Sequence, residues 1–345
     1  MNNTIMLKEI MDQLNLMPLC EEKNEELLDI IKEKIKNFKP ESILISARGT
    51  SMHSAIFAKY LFERFLGIQT TIANLSVYSV YDAKVDLRKT LVIAISQSGK
   101  GKDILASVKK GNECGSLTLA ITNSPGSLIE KEAKYNLYNN VGEAVALAAT
   151  KTYTSTLFLI VKLLYKLTNE ETFNLSAKDI VESLKEGKSH HEEIIDLAKK
   201  NKDITTSFSF ARGHSLSLAM ELGLKVKEAA HVFMMSFPTS EFYHGPIIIA
   251  NENTPSILFA VDKKTNDNVK EMIIDLKKRN VYTLVITNDA HLGELADDAV
   301  MIDEENDMLA FFSAVMILQI FACELAFIRG YDPDYNEVVM NVNTI

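Results

Sequence analysis

Two copies of one sequence unit make up most of this chain, and no other feature limits its possible folds as strongly. The segment Ala47–Ser51 (ARGTS) recurs as Ala211–Ser215 (ARGHS), 164 residues later, and Leu119–Asn123 (LAITN) recurs as Leu284–Asn288 (LVITN), 165 residues later. Two matches at nearly the same offset indicate a tandem duplication. Each copy is therefore expected to fill about half of the 345 residues.

Inside each copy, short apolar segments of strand length alternate with segments of helical periodicity. The apolar segments cover residues 42–46, 91–95 and 117–121 in the first copy and 206–210, 257–261 and 282–286 in the second. This alternation predicts an α/β fold in which each copy is a doubly wound parallel sheet flanked by helices, a flavodoxin- or Rossmann-like sandwich. The predicted regions are an N-terminal helical segment (1–38), a first domain (39–175) and a second domain (176–345) that opens with a helix over 176–200.

The composition argues against several functional classes. Hydrophobic residues make up 47% of the sequence and charged residues 24%, which is typical of a soluble globular protein. The formal net charge of -9 argues against nucleic acid as a partner, although anionic small molecules can still bind at helix N-termini. The three cysteines are far apart and no HxxxH or HExxH pattern occurs, so we expect no disulfide framework, no metal site and no cofactor.

Secretion and membrane insertion are not expected either. Residues 1–16 alternate polar and apolar side chains at helical spacing and lack the continuous apolar region of a secretory signal. The most apolar segment, Leu309–Phe327, is interrupted by Ser313, Gln319 and Glu324, so it is predicted to be a buried helix rather than a membrane span. These features predict a cytoplasmic protein.

Polar residues follow two of the predicted strands in the first copy. Ser96–Gly99 (SQSG) comes directly after a buried strand and before a helix, and Thr50 and Ser51 follow the first strand in the same way. Ligands of open α/β sheets bind beyond the carboxyl ends of the strands, where hydroxyl groups and a helix N-terminus suit a phosphate. Ordinary capping and turn roles are the alternative. The second copy has Asp262-Lys263-Lys264 at its corresponding strand end, so we expect one such phosphate site per chain.

Three charged residues of the second copy share one face of a predicted helix. Glu221, Lys225 and Glu228 are spaced i, i+4 and i+7. A solvated salt-bridge stripe is the ordinary interpretation of such a pattern. Here the neighbouring residues 215–220 are small and apolar, which favours a helix that borders a cleft. A carboxylate in that position can serve as a general base.

One histidine lies in a segment whose backbone is restrained. His244 is followed by Gly245-Pro246, a pair that favours a turn, and a fixed imidazole suits proton transfer. His190 and His191 lie in a charged helical segment and are predicted to be solvated.

These motifs, in this order, resemble those of a known family. The ordered set is Gly49-Thr50-Ser51, Ser96–Gly99, Ala149-Thr150-Lys151-Thr152, Leu224–Glu228 (LKVKE) and Glu241–Pro246 (EFYHGP). Together they resemble the double sugar-isomerase (SIS) domain proteins over about residues 40–335, and in particular the isomerase half of the glutamine:fructose-6-phosphate amidotransferases.

The resemblance implies roles for individual residues. Ser51, Ser96, Gln97 and Ser98 match phosphate-binding positions of the family. Glu228 matches the carboxylate that moves protons between C1 and C2 of the open-chain sugar, with Glu221 and Lys225 as its supporting pair. His244 matches a histidine that is associated with ring opening and is supplied by the neighbouring subunit, which implies a homodimer.

Four departures from the amidotransferase pattern bear on the activity. The sequence starts Met1-Asn2-Asn3, without the cysteine nucleophile of a glutaminase domain, so nitrogen transfer from glutamine is not expected. Gly101 replaces a threonine of the phosphate loop, and Ala149 replaces a serine near the sugar. The segment 332–345 lacks the lysine with which the synthases form an imine.

A substrate that already carries nitrogen does not need that lysine. The resemblance therefore implies a glucosamine-6-phosphate deaminase or a fructosamine-6-phosphate deglycase. A simple aldose–ketose phosphate isomerase and a non-catalytic phosphosugar sensor are the alternatives. In each case the expected partner is a small phosphosugar, without nucleic acid or membrane.

Overall fold

The computed structural model describes residues 3–335 and forms two compact units. Among the described residues, the first unit holds 15–144 and 151–178, and the second holds 3–14, 145–150 and 179–335. A long N-terminal helix, α1 (Ile5–Phe38), contributes residues to both. In the first unit, Lys162 Nζ lies 2.7 Å from Glu21 Oε1 and Lys166 Nζ lies 2.8 Å from Glu25 Oε1, so ion pairs join α1 to a later helix of the unit.

The first unit is a five-stranded parallel sheet with helices between its strands. The elements are β1 (Ser42–Ser46), α2 (Thr50–Leu66), β2 (Gln69–Ile72), α3 (Ser76–Ser79), β3 (Thr90–Ile95), α4 (Lys102–Cys114), β4 (Leu117–Thr122), α5 (Leu128–Glu132), β5 (Tyr135–Tyr138) and α6 (Lys151–Thr168). The strand order is β2-β1-β3-β4-β5. Every residue of β3 and β4 is buried, as expected for strands that are covered on both faces.

The second unit repeats this architecture. Its elements are α7 (Ala177–Ser189), α8 (His191–Lys200), β6 (Thr206–Ala211), α9 (Leu216–Ala229), β7 (Phe233–Pro238), α10 (Thr239–Phe242), β8 (Ser256–Ala260), α11 (Asn266–Lys277), β9 (Thr283–Thr287), α12 (Ala290–Leu295), β10 (Asp298–Met301) and α13 (Asp307–Ile328). The order β7-β6-β8-β9-β10 corresponds strand for strand to that of the first sheet, and all pairings are parallel. The predicted α/β fold of two doubly wound sheets is confirmed.

The apolar segment Leu309–Phe327 lies within α13, the one helix among residues 3–335 that is long and apolar enough to cross a membrane. Within its most apolar window, 89% of the helix is buried in the protein, as predicted for a core helix. The polar residues that interrupt it have partners: Gln319 Oε1 accepts a hydrogen bond from Gln13 Nε2 at 2.8 Å, and Ser313 Oγ donates to the Ser183 carbonyl at 2.9 Å. Polar groups with partners can be buried at low cost.

The helix predicted over 176–200 is in fact two helices, and the prediction that its histidines are solvated was wrong. The helix is interrupted at His190, which lies between α7 and α8. The His190 ring contacts Glu193 Oε2 through Nδ1 at 2.8 Å and Glu186 Oε1 through Nε2 at 3.0 Å, and His191 Nε2 lies 2.8 Å from Glu324 Oε1. The two carboxylates that contact His190 are four residues before it and three after it in sequence. The carboxylate that contacts His191 comes from α13.

The Glu186–His190–Glu193 cluster predicts a pH-dependent stability. Hydrogen bonding to Glu186 and the second carboxylate outweigh desolvation and raise the pKa of His190 above its ordinary value. The cluster therefore stabilises the fold fully below the unfolded-state pKa of about 6.5, and this stabilisation is lost as pH rises through the raised folded-state pKa. We expect the melting temperature of the wild type to exceed that of His190→Gln by less at about pH 8 than at about pH 6. A difference that stays constant across this range in thermal unfolding experiments would contradict the prediction.

Candidate active site

In the first unit, two loops of interest follow neighbouring strands at one edge of the sheet. Strands β1 and β3 are parallel, with Ser46 opposite Ala94, so their carboxyl ends lie together. Because β1 pairs with β2 on its other side, this is the point where the strand order reverses, which is where ligands of doubly wound sheets bind. Thr50 and Ser51 form the first turn of α2, and the loop 96–101 follows β3 and leads into α4. The structure thus places all the predicted phosphate-binding residues at one sheet edge.

Helices α2 and α4 both begin at this edge without a side-chain cap. Gly49 precedes α2 and Gly101 precedes α4, and neither position has a side chain that could accept a hydrogen bond from the first turn. The first N–H groups of a helix have no partner inside the helix. An anion placed at this edge would meet such N–H groups together with the hydroxyls of the two loops.

Hydrogen bonds to the loop after β4 fix the shape of the loop 96–101. The Gln97 carbonyl accepts from the Asn123 N–H at 3.1 Å and from Ser124 Oγ at 3.0 Å. Within the loop, the Gly99 N–H donates to Ser96 Oγ at 3.2 Å and the Lys100 N–H donates to Ser98 Oγ at 3.4 Å. The loop is therefore held in one conformation by the protein, which is a property of preformed binding sites.

Gly99 is required by this packing as well as by its backbone conformation. Its φ is +60°, and a Cβ added there would lie 2.1 Å from Ser127 Oγ. We expect Gly99→Ala to destabilise the protein by about 1–3 kcal/mol, because the backbone would be strained and the loop pushed away from Ser127. Chemical denaturation of the variant checks this. Gly115→Ala, also at positive φ but with no atom within 4 Å of the added Cβ, separates the packing effect from strain alone.

An ion pair that was not predicted from the sequence joins the same two loops. Arg48, two residues after β1, pairs with Asp103 in the first turn of α4, and Asp103 is buried. The repeat could have pointed to this arginine, because both copies have an Ala-Arg-Gly sequence where their first strand ends. The second copy uses its arginine differently, since the Arg212 guanidinium donates to Ser240 Oγ.

A cavity of about 420 Å³ adjoins the loop 96–101 in the first unit. It lies beyond the carboxyl ends of β3, β4 and β5. Its lining residues are mostly polar and come from α1 and from the loops after these strands: Lys23, Gln97, Ser98, Lys100, Asn123, Ser124, Pro125, Tyr138, Asn140, Gly142, Glu143 and Ala144. The volume is within the range of small-molecule sites, so a ligand that contacts Gln97 or Ser98 from this side has space available.

The charged face predicted in the second unit is formed on α9, and it is not a solvated stripe. Lys225 Nζ lies 3.0 Å from Glu221 Oε1 and 3.2 Å from Glu228 Oε2. The side chains of Glu221 and Lys225 are 0% exposed, whereas that of Glu228 is 31% exposed. Glu228 is thus the member of the triad that solvent or a ligand can reach.

The environment keeps Lys225 charged. Burial alone would lower its pKa, but attraction to Glu221 and Glu228 and the hydrogen bonds to them outweigh desolvation and raise it above the ordinary value. The buried ammonium lies between the two carboxylates and contacts both of them. This arrangement holds Glu228 in position as a potential base.

His244 lies in a turn, as predicted, and its side chain is exposed. The His244 N–H donates to the Glu241 carbonyl at 3.1 Å, and Gly245 has a φ of +127°, which favours glycine. A 3₁₀ turn, Pro246–Ile249, separates this turn from β8. Among residues 3–335 the His244 ring makes no hydrogen bond or ion pair, so the structure does not bring it into contact with the α9 triad.

The described residues contain no group of three or more His, Cys, Asp or Glu side chains that could hold a metal ion. The expectation that the protein uses no metal or cofactor stays a prediction.

Comparisons with known proteins agree on the family. The SIS domain model matches twice, at residues 38–166 and 196–329. The chain is 30% identical over 340 residues to the isomerizing glutamine–fructose-6-phosphate aminotransferase of Thermococcus kodakarensis, an alignment that covers 95% of this chain and 56% of that protein. The chain therefore spans about half the length of the curated relatives it matches.

Solved structures share the fold at lower identity. The C-terminal domain of glucosamine-fructose-6-phosphate aminotransferase from Francisella tularensis has a TM-score of 0.87 at 24% identity, covering 97% of this chain and 99% of that one. Glucosamine-6-phosphate deaminase from Thermotoga maritima has 0.73 at 21% (95% and 96% covered), and tagatose-6-phosphate ketose/aldose isomerase from Escherichia coli has 0.79 at 17% (96% and 95%). The two matches to the family model, each on one of the duplicated sheets, show that this chain belongs to the SIS domain family.

Proposed function

We propose that the protein is an enzyme that moves a proton between C1 and C2 of an open-chain hexose 6-phosphate. The observation that carries this proposal is the α9 triad, in which Glu228 alone is accessible and is held by the buried Lys225. A non-catalytic sensor has no need for a carboxylate oriented in this way. The relatives named as aminotransferases and the structural neighbours named as an isomerase and a deaminase all act on sugar phosphates according to their names.

The phosphate group is assigned to the first unit. Thr50, Ser51, Ser96, Gln97 and Ser98 supply hydroxyl and amide groups, and the uncapped starts of α2 and α4 supply N–H groups. Gly99 supports this site by allowing the loop to pack on Ser127. Backbone N–H groups at helix N-termini can bind a phosphate dianion even where no lysine or arginine contacts it directly.

The substrate is proposed to carry an amine at C1 or C2. Glu228 then removes a proton from one of these carbons and returns it to the other, through an enaminol. The product is an imine at the carbon that bears nitrogen, and water hydrolyses it to a carbonyl group and a free amine. This is deaminase or deglycase chemistry. The likeness in fold to the protein named glucosamine-6-phosphate deaminase from Thermotoga maritima supports it.

A simple aldose–ketose isomerase is the second candidate, and the likeness to the tagatose-6-phosphate isomerase favours it. The same Glu228 would move the proton without an amine leaving. In both candidates His244 is assigned to ring opening. Because the exposed His244 ring makes no contact with the triad, we propose that it acts in the site of a second copy of the chain. The protein is accordingly proposed to be a homodimer, and its proposed location is the cytoplasm.

Proton NMR in D₂O tests the proposal. The purified protein is incubated with fructose, glucosamine and fructosyl-lysine 6-phosphates. Deuterium entry at C1 or C2 with release of an amine supports the deaminase or deglycase activity, and entry without release supports the isomerase. Binding of these sugars without any exchange would overturn the enzyme proposal in favour of a sensor.

A further inference from the structure

The second unit contains the same two loops that form the proposed phosphate site in the first unit. Strands β6 and β8 are neighbours at the point where the strand order reverses, as β1 and β3 are. The loop after β6 begins with Arg212-Gly213, and Gly213 has a φ of +65°, close to the +52° of Gly49. The loop 261–265 follows β8 and leads into α11. The duplication has therefore preserved the strand order and the loop positions of the proposed phosphate site.

A carboxylate of the protein joins these two loops. Asp262 Oδ2 lies 3.3 Å from His214 Nδ1, and both side chains are about 5% exposed. Asp262 Oδ1 accepts a hydrogen bond from the Lys264 N–H at 3.1 Å, and the Asp262 carbonyl accepts one from the Thr265 N–H at 2.8 Å. The His214 ring also packs against Phe311 of α13, with 5.5 Å between ring centres.

The two units thus differ in what lies between equivalent loops. The buried carboxylate of the first unit, Asp103, lies in the first turn of α4 and pairs with Arg48, so the loop after β3 itself presents hydroxyl-bearing residues next to uncapped helix starts. In the second unit the buried carboxylate lies in the loop itself: Asp262 is two residues after β8, as Gln97 is two residues after β3, and it is held by an imidazole and a backbone N–H. The Asp262 side chain packs closely against the backbone at Gly213. A Cβ added to Gly213 would lie 3.5 Å from Asp262 Oδ2 and 3.2 Å from Thr265 Cγ2.

His214 lies in the 3₁₀ turn Gly213–Ser215 that leads directly into α9, so the Asp262 contact is made at the start of the helix that carries the triad. The rest of α9 is also held. The Ala219 carbonyl accepts from Ser209 Oγ at 2.9 Å and from Ser236 Oγ at 3.0 Å, and the Ala230 carbonyl, just past its end, accepts from Arg329 Nε at 2.9 Å. At the N-terminal end of α9, the contact is the one between Asp262 and His214.

We propose that Asp262 fills the anion position of the second unit with the protein's own carboxylate and acts as a positioning residue for α9. The first unit then binds the ligand's phosphate, while the second uses its own carboxylate to hold Glu228 in place. Both parts rest on the proposed function: the filling rests on its phosphate site, and the positioning role rests on its proton transfer.

Calorimetric titration with inorganic phosphate tests the filling. We expect the wild type to bind one phosphate per chain and Asp262→Ser to bind a second, weaker one beside His214. Asp267→Ser, which removes an exposed carboxylate from the first turn of α11, is the matched control and should bind one. A single phosphate per chain in a folded Asp262→Ser variant would overturn the proposal.

Kinetics of the exchange reaction tests the positioning. A small displacement of a catalytic group costs up to about a hundredfold in rate, so Asp262→Ala is expected to lower kcat by about tenfold or more with little change in KM. Asp262→Asn, which keeps the acceptor for the Lys264 N–H, should recover part of the rate. Equal loss in both variants, or a change in KM alone, would overturn the positioning role. A wild type without exchange activity would instead count against the proposed function, and the phosphate titration would still decide the filling.

Discussion

Replacement of Glu228 by Gln is expected to lower the rate of hydrogen exchange at C1 and C2 by at least about a hundredfold, the usual contribution of a positioned general base. Gln keeps the size of the side chain and a partner for Lys225, but it cannot take up a proton at neutral pH. KM for the sugar phosphate should change little, because a general base lowers the barrier to proton transfer rather than contributing to substrate binding. The exchange rate and KM are both measured by NMR in D₂O.

Two comparisons make this result specific to Glu228. Glu271→Gln, an exposed carboxylate on α11, should leave the rate unchanged. Far-UV circular dichroism should show that Glu228→Gln is folded, since the buried Glu221–Lys225 pair is retained. A folded Glu228→Gln variant with more than about a tenth of the wild-type rate would exclude Glu228 as the base.

The central strands of both sheets could be predicted from the sequence because each is buried on both faces. Strand β3, for example, is a continuous apolar run. The outer strands were not predicted. Strand β2 (QTTI) and strand β5 (YNLY) are short and partly exposed, so they lack both the continuous run and a clear alternation. Their existence follows from the pairing of β1 and β4 with a neighbour rather than from their own composition.

The same distinction applies to the candidate site. Glu221, Lys225 and Glu228 are close in sequence on one helix, so helical spacing alone predicted their contact. The pairs Arg48–Asp103 and His214–Asp262 each join loops about fifty residues apart, and only the sheet brings those loops together. The contacts of His190 with two carboxylates were likewise not predicted, because the charged helical segment around it suggested a solvated ring.

The largest effect on stability is expected for Lys225→Met. Removal of the ammonium leaves the Glu221 carboxylate, which is 0% exposed, without its cationic partner. Breaking a buried ion pair from one side typically costs about 3–5 kcal/mol, because the remaining charge stays buried. Urea denaturation, followed by circular dichroism, should show a lower transition midpoint. Lys227→Met, an exposed lysine on the same helix, should lie within about 0.5 kcal/mol of the wild type.

The double variant Glu221→Gln/Lys225→Met separates the charge from the packing. If the loss in Lys225→Met comes from the unpaired carboxylate, neutralising Glu221 should restore more than half of it, because two neutral side chains of similar size can replace a buried pair at little cost. If the double variant is instead as unstable as Lys225→Met, the loss comes from packing around α9, and the electrostatic account of the triad fails. The double variant also lacks the ammonium that contacts Glu228. We therefore expect its exchange rate to be lower than that of the wild type even if its stability is restored, because the Glu228 carboxylate loses the contact that orients it.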